Sequence, residues 1–205
     1  METIYTAGTG PWAQPEKSVQ PYRSGLVRVE QAYTAPTSTI ATAAATFPVG
    51  GLLDVTSPAL DGLYIYPEPQ WREQAGGFSE INVAAYGRTR TDYTVEQQIK
   101  AGIGYQLDTI PGDPPTVTQT EVTLLKTYFV CRYVAAPGEG NLINTDALSY
   151  SFKLYNTDGT LYPLYRSGYA LSLVASFEFS ESINFGYWSE WTVIVTFTPT
   201  WTATD

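Results

Sequence analysis

From Asp61 onward, the apolar and polar positions of this chain repeat with a period of two. The run "GFSEINVAAYGRTRT" puts Phe78, Glu80, Asn82, Ala84 and Tyr86 on one side and Ser79, Ile81, Val83 and Ala85 on the other. That pattern predicts a strand with one small, apolar, buried face and one mixed face. Just upstream, "DGLYIYPEP" opens on an Asp-Gly turn signal, continues through four β-prone residues and stops at Pro67. The intervening "EPQWREQAGG" reads as a polar loop carrying Trp71. Further on, "EVTLLKTYFVCRYVA" predicts a long strand, ended by Pro137, Gly138 and Gly140. "LSYSFKLYNTDGTLYPLY" predicts a hairpin about Asn156 to Gly159. "YALSLVASFEFSE" and "YWSEWTVIVTFTPTW" predict two more strands about a turn at residues 184–186.

Three stretches depart from this rhythm. "TDYTVEQQIKAGIG" is the best helix candidate, with Thr94 as cap, Gln97 at the capping-box position and Gly102 as its end. Residues 33–46, nearly pure Ala and Thr, have too little apolar bulk for a core helix and are expected as a ribbon or loop. Residues 104–120 enclose the Pro-rich "DTIPGDPPTVTQ" and are expected as a loop. Residues 1–21, with three of the 14 prolines, read as an extended arm ahead of a single β-rich domain over 22–205. The expected class is mainly β, a sandwich or small barrel with an extended N-terminal arm and at most one or two short helices.

Composition narrows what such a domain can do. A chain of 205 residues with 43 % hydrophobic content can bury a real core. Its aromatic load is chiefly Tyr, 16 against 8 Phe and 5 Trp, which suits half-buried positions on strands and interfaces. The formal charge is −9, with no basic run or stripe, so specific nucleic-acid binding is not expected. No signal peptide or membrane-spanning run is legible, which predicts a soluble protein made in a cytoplasm. The lone Cys131 cannot form an intramolecular disulfide.

Without a single His, Ser–His and Cys–His nucleophiles and His-ligated metals are excluded. "GIGYQL" fails as a dinucleotide loop, because Leu107 stands at the third Gly position and no strand precedes it. "YNTDGTLY" fails as a calcium loop, because Leu154 and Tyr165 occupy the outer ligand positions, so it reads as a turn. Carboxylate pairs are the one catalytic device left, from Glu68, Glu73 and Glu80 or from Glu178, Glu181 and Glu190. Solvated surface charges are the plainer reading of both sets. No catalytic residue, metal or cofactor is therefore expected.

The tetrapeptide "YRSG" occurs at 22–25 and again at 165–168. A second echo follows each in the same order, Phe78-Ser79-Glu80 and Trp188-Ser189-Glu190. The separations are 56 and 23 residues (78 minus 22, 188 minus 165), so a duplication would need an insertion of 33. Good turn chemistry before a strand is the plainer reading of the tetrapeptide, since true repeats usually hold their period. Both readings place strand starts at these sites.

Taken together, the arm "GPWAQPEKSVQPYRSGLVRVEQAY", the run "DGLYIYPEPQWREQAGGFSEINVAAYGRT" and the closing "FGYWSEWTVIVTFTP" resemble structural subunits of tailed-bacteriophage virions. The resemblance is one of general character across the chain. It implies a tail-tube or head–tail connector subunit, or alternatively a capsid decoration protein. It also implies partners that are copies of the chain, in a ring or trimer, and other virion proteins. Assembly would run through strand edges and aromatic contacts, with Trp12, Tyr22, Trp71, Trp188, Trp191 and Trp201 as interface candidates. A carbohydrate-binding module is the reading from a different class, with an exposed Trp as stacking platform.

Overall fold

The structure, a computed structural model, describes residues 17–53, 60–110, 116–165, 167–184 and 186–204. Most of the expected arm, including Trp12, lies outside these residues. Contacts divide the chain into two compact units. One is Met1–Thr94 with Arg132–Leu142 and Ser180–Thr192, and the other is Val95–Cys131 with Ile143–Phe179 and Val193–Asp205. The protein is mainly β, as its alternation predicts, with two five-stranded sheets among the described residues. Neither sheet closes into a barrel.

The first unit is built on strands β1 (Lys17–Pro21), β2 (Leu26–Pro36), β3 (Asp61–Ile65), β4 (Gln70–Glu73) and β5 (Phe78–Arg88). The order is β1-β2-β5-β3, with β4 also on β5. The arm expected over 1–21 thus ends as an edge strand, Lys17 opposite Gln31 and Pro21 opposite Val27. β3 and β4 follow one another along the same side of β5, Ile65 opposite Ala85 and Gln70 opposite Asn82. They are separated by Tyr66 to Pro69, where two prolines cannot donate to the ladder. The stretch around Trp71, expected as a loop, is therefore a strand, with Arg72 opposite Glu80 in an ion pair of 2.9 Å.

The predicted alternation of β5 is observed: Ser79, Ile81, Val83 and Ala85 are buried while Phe78 and Asn82 are exposed. Its apolar side joins Val27, Val29, Tyr33 and Ala35 of β2 in a core also fed by Leu63 and Ile65. The Ala/Thr stretch departs from expectation. Residues 33–36 finish β2, Thr37–Thr39 form a 3₁₀ turn, and Ile40–Ala44 form helix α1. Ile40, Ala43 and Phe47 share a helical stripe that caps the core, and Phe47 meets Tyr33 at 4.8 Å between ring centres. Three well-spaced apolar residues suffice, because the small Ala and Thr side chains let the backbone approach the sheet.

The second sheet comprises β6 (Thr94–Ile110), β7 (Thr116–Ala135), β8 (Leu154–Tyr155), β9 (Tyr169–Asn184) and β10 (Ser189–Ala203). Its order is β6-β7-β10-β9, with β8 on β7. The helix expected from Thr94 is strand β6. Glycines at 102 and 104 are not helix ends: a Cβ on Gly104 would overlap Leu124, and one on Gly102 would come within 2.9 Å of Lys126 Cε. Their bare backbones let the β7 side chains lie across β6. The loop expected over 104–120 contracts accordingly, with 104–110 in β6 and 116–120 in β7, and residues 111–115 lie outside those described.

In the second unit, Phe129, Phe152, Leu154, Val193, Val195 and Phe197 are buried, Phe129 and Phe152 meeting Phe197 at 5.9 and 5.7 Å. The hairpin expected over 148–165 is half observed. Residues 145–150 form helix α2, capped by Asn144 Oδ1 accepting from Ala147 N at 3.1 Å. The Asn156–Gly159 turn is present, with Asn156 N donating to Thr160 O at 2.8 Å. Both YRSG copies precede strands, β2 and β9, and each of these is antiparallel to the strand that opens with the Ser-Glu echo, β5 and β10. The registers differ, however. Glu80 stands opposite Thr34, twelve residues past Tyr22, whereas Glu190 takes the hydroxyl of Ser182, seventeen past Tyr165.

Candidate assembly edges

Of the predicted interface aromatics among the described residues, Trp71 is the most open, at 47 %. Tyr22, Trp191 and Trp201 are half-buried, Tyr22 against Leu26, Val134 and Trp188. Trp188 is only 4 % exposed and belongs to the interior of the first unit, so it offers no surface to a partner. Its indole N–H donates to Tyr86 O at 3.1 Å, and the guanidinium carbon of Arg88 sits 4.7 Å from its ring centre. Arg88, itself buried, holds Glu139 with two hydrogen bonds of 2.5 and 3.0 Å and donates to Val134 O at 3.2 Å. The Arg88 hydrogen bond, and then that from Ala136 N, keep the Glu139 carboxyl below the usual carboxylate range. Burial pushes the phenols of Tyr33, Tyr86 and Tyr133 up. These are structural roles.

Three of the six acidic groups weighed for catalysis are occupied locally. Glu80 is bound by Arg72 and accepts from Gln74 Nε2 at 2.7 Å and Asn82 Nδ2 at 3.2 Å. Glu190 accepts from Ser24 and Ser182, and Glu181 from Asn184 at 2.9 Å. Among the described residues, no three acidic or cysteine side chains come together to hold a metal ion. None of the described helices is long and apolar enough to cross a membrane.

The residues that stand out were missed from the sequence. On β6, Val95, Ile99 and Ile103 are 52, 59 and 57 % exposed. On β9, Val174 and Phe179 are 54 and 52 % exposed, and Phe177 stacks on Phe179 at 5.8 Å between ring centres. β6 and β9 are the outer strands of their sheet, 17 and 16 residues long, and no other described strand pairs with their outer sides. A long, apolar edge of this kind is a template for another strand, since each added residue offers main-chain hydrogen bonds and apolar cover. Charges are sparse along the described parts, with Glu96 and Lys100 on β6 and Glu178 and Glu181 on β9. The signal available in the sequence was the Val-Ile-Ile spacing of four, which marks one face of a strand as readily as one face of a helix. Compared with protein-family models, with curated proteins and with solved structures, the chain matches none.

Proposed function

We propose that this chain is a structural subunit of a tailed-bacteriophage virion, assembling with copies of itself and with other virion proteins as a tail-tube or head–tail connector component. The observation that carries the reading is the pair of long outer strands, β6 and β9, each with exposed large apolar residues and no other described strand on its outer side. Such edges favour assembly by sheet extension, in which main-chain hydrogen bonds supply affinity and the flanking side chains supply selectivity. The charge of −9 supports a role beside DNA rather than bound to it, because a surface of that sign lets a polyanion pass without adhering.

Negative-stain electron microscopy of the purified chain over a concentration series, with mass photometry, tests the proposal. Rings or tubes are the expected result. A chain that stays monomeric at every concentration, or stops at a compact trimer, would overturn the tube and connector reading, the trimer pointing to capsid decoration.

A further inference from the structure

Independently of that assembly, we propose that the open face of the first sheet is a binding site for a neutral sugar. The β2–β5 pair places Arg28, Glu30 and Ala32 opposite Tyr86, Ala84 and Asn82, on the side away from the apolar core. β1 adds Ser18 opposite Glu30 on one flank. On the other flank the break between β3 and β4 leaves Pro67 and Glu68 as a wall, continued by Gln70. These elements border a cleft of about 500 Å³ whose lining includes Ser18, Arg28, Glu30, Glu68, Gln70 and Asn82. That size lies within the range of small-molecule sites, about 300–1,000 Å³.

The chemistry of the lining selects the ligand. Arg28 is ion-paired to Glu30 and lies 5.9 Å from the Tyr86 ring centre, yet its Nε is buried with no hydrogen-bond partner. The side chain is nonetheless 32 % exposed, so its guanidinium borders the cleft. The amide nitrogens of Gln70 and Asn82 are already engaged, by Glu68 O and Glu80, which turns their oxygens into the acceptors on offer. One guanidinium faces two carboxylates, Glu30 and Glu68, a formal balance of −1 that repels an anion. A cation would have to compete with Arg28 for Glu30. A hydroxyl both donates and accepts, and neighbouring ring hydroxyls can bridge a carboxylate while accepting from Arg28. Apolar lining is confined to small groups, Ala32, Ala84, Pro67 and Val83, so the cleft has no pocket for an apolar side chain of a peptide. None of the tryptophans lines it.

Ligand-observed saturation-transfer NMR on the full chain tests this whether or not the chain assembles. The probes are the methyl pyranosides of glucose, galactose and mannose, together with N-acetylglucosamine, each up to about 50 mM, at which a millimolar site fills. The expected result is transfer to at least one of them, weakened about tenfold, or 1.4 kcal/mol, by Asn82→Ala and separately by Glu68→Gln. Both residues are exposed, so circular dichroism should be unchanged. Absence of transfer to all four sugars would overturn the inference, as would transfer unaffected by both substitutions. Stronger binding of glucuronate than of any neutral probe would overturn the neutral class. None of these outcomes bears on whether the chain forms rings or tubes.

Discussion

Replacing Ile99 with Lys should dissolve the assembly without unfolding the subunit. Ile99 is 59 % exposed on β6. Full burial of an Ile side chain is worth about 1.5–3 kcal/mol, so covering the exposed remainder contributes about 1–2 kcal/mol per junction. The lysine forfeits that gain, and its ammonium must be partly desolvated when a strand is laid alongside, at a further cost of about 1–3 kcal/mol. A loss of about 3 kcal/mol weakens each junction roughly 100-fold, and the effect compounds around a ring. The folded subunit should tolerate the change to within about 0.5 kcal/mol, because the replaced side chain is mostly in water. Mass photometry over a concentration series reads the assembly midpoint, and thermal unfolding of the dilute subunit reads stability. Phe179→Lys on β9 should act in the same way. An Ile99→Lys chain that assembles at the wild-type midpoint, with Phe179→Lys also silent, would refute the edge-pairing argument.

Other expectations concern the subunit alone. Glu139→Ala leaves the buried Arg88 without its carboxylate and should cost about 3 kcal/mol in urea unfolding, whereas Arg88→Met combined with Glu139→Leu should recover most of it. The depressed Glu139 carboxyl also predicts a pH effect. The unfolded chain takes up this proton first as pH falls, so the stabilisation is complete above the ordinary value of 4.5 and is lost as pH drops through the lower folded value. Unfolding followed between about pH 3 and 6 should accordingly show a flatter acid limb for Glu139→Gln. Gly50→Ala sets a Cβ against the hydroxyl of Tyr187 at a backbone φ of +79°, and should lower stability by about 3 kcal/mol in the same assay. Asn144→Ala removes the cap of α2 at about 1 kcal/mol, readable as faster hydrogen exchange at Ala147 and Leu148.

The strands with one buried face were legible, and for a physical reason. In β5 the alternation is enforced residue by residue, because every second side chain enters a dry core. The misreadings fall where that constraint is absent. β6 has no described strand on its outer side and leaves Val95, Ile99 and Ile103 in water, so no buried face imposes a period of two on its residues. Thr94, Gln97 and Gly102 then imitate helix signals that pairing with β7 overrides. Helix α1 was hidden for the converse reason: one short turn needs only Ile40, Ala43 and Phe47, too few to show against a background of Ala and Thr. Trp188 alone among the described aromatic candidates is buried, because Trp reports burial as readily as contact and this one packs on Arg88 and donates to Tyr86. The cleft was illegible because its members come from β1, β2, β5 and the β3–β4 break, positions joined only by strand register.

The two sheets treat their edges differently, and that contrast bears on assembly more than either sheet does alone. In the first, the outer strands are interrupted: the described part of β1 ends in Pro21, while β3 and β4 have five and four residues and are parted by Pro67 and Pro69. Brevity and proline are the devices that keep a sheet from recruiting a stranger. In the second, β6 and β9 run for 17 and 16 residues without a proline, and carry Ile and Phe in water where lysines would protect them. One sequence thus blunts one pair of edges and leaves the other open. Selection for solubility alone would act on both. An additional strand laid against β6 or β9 accounts for the difference, because it would satisfy the outward main-chain groups and cover the same apolar side chains that a monomer leaves wet.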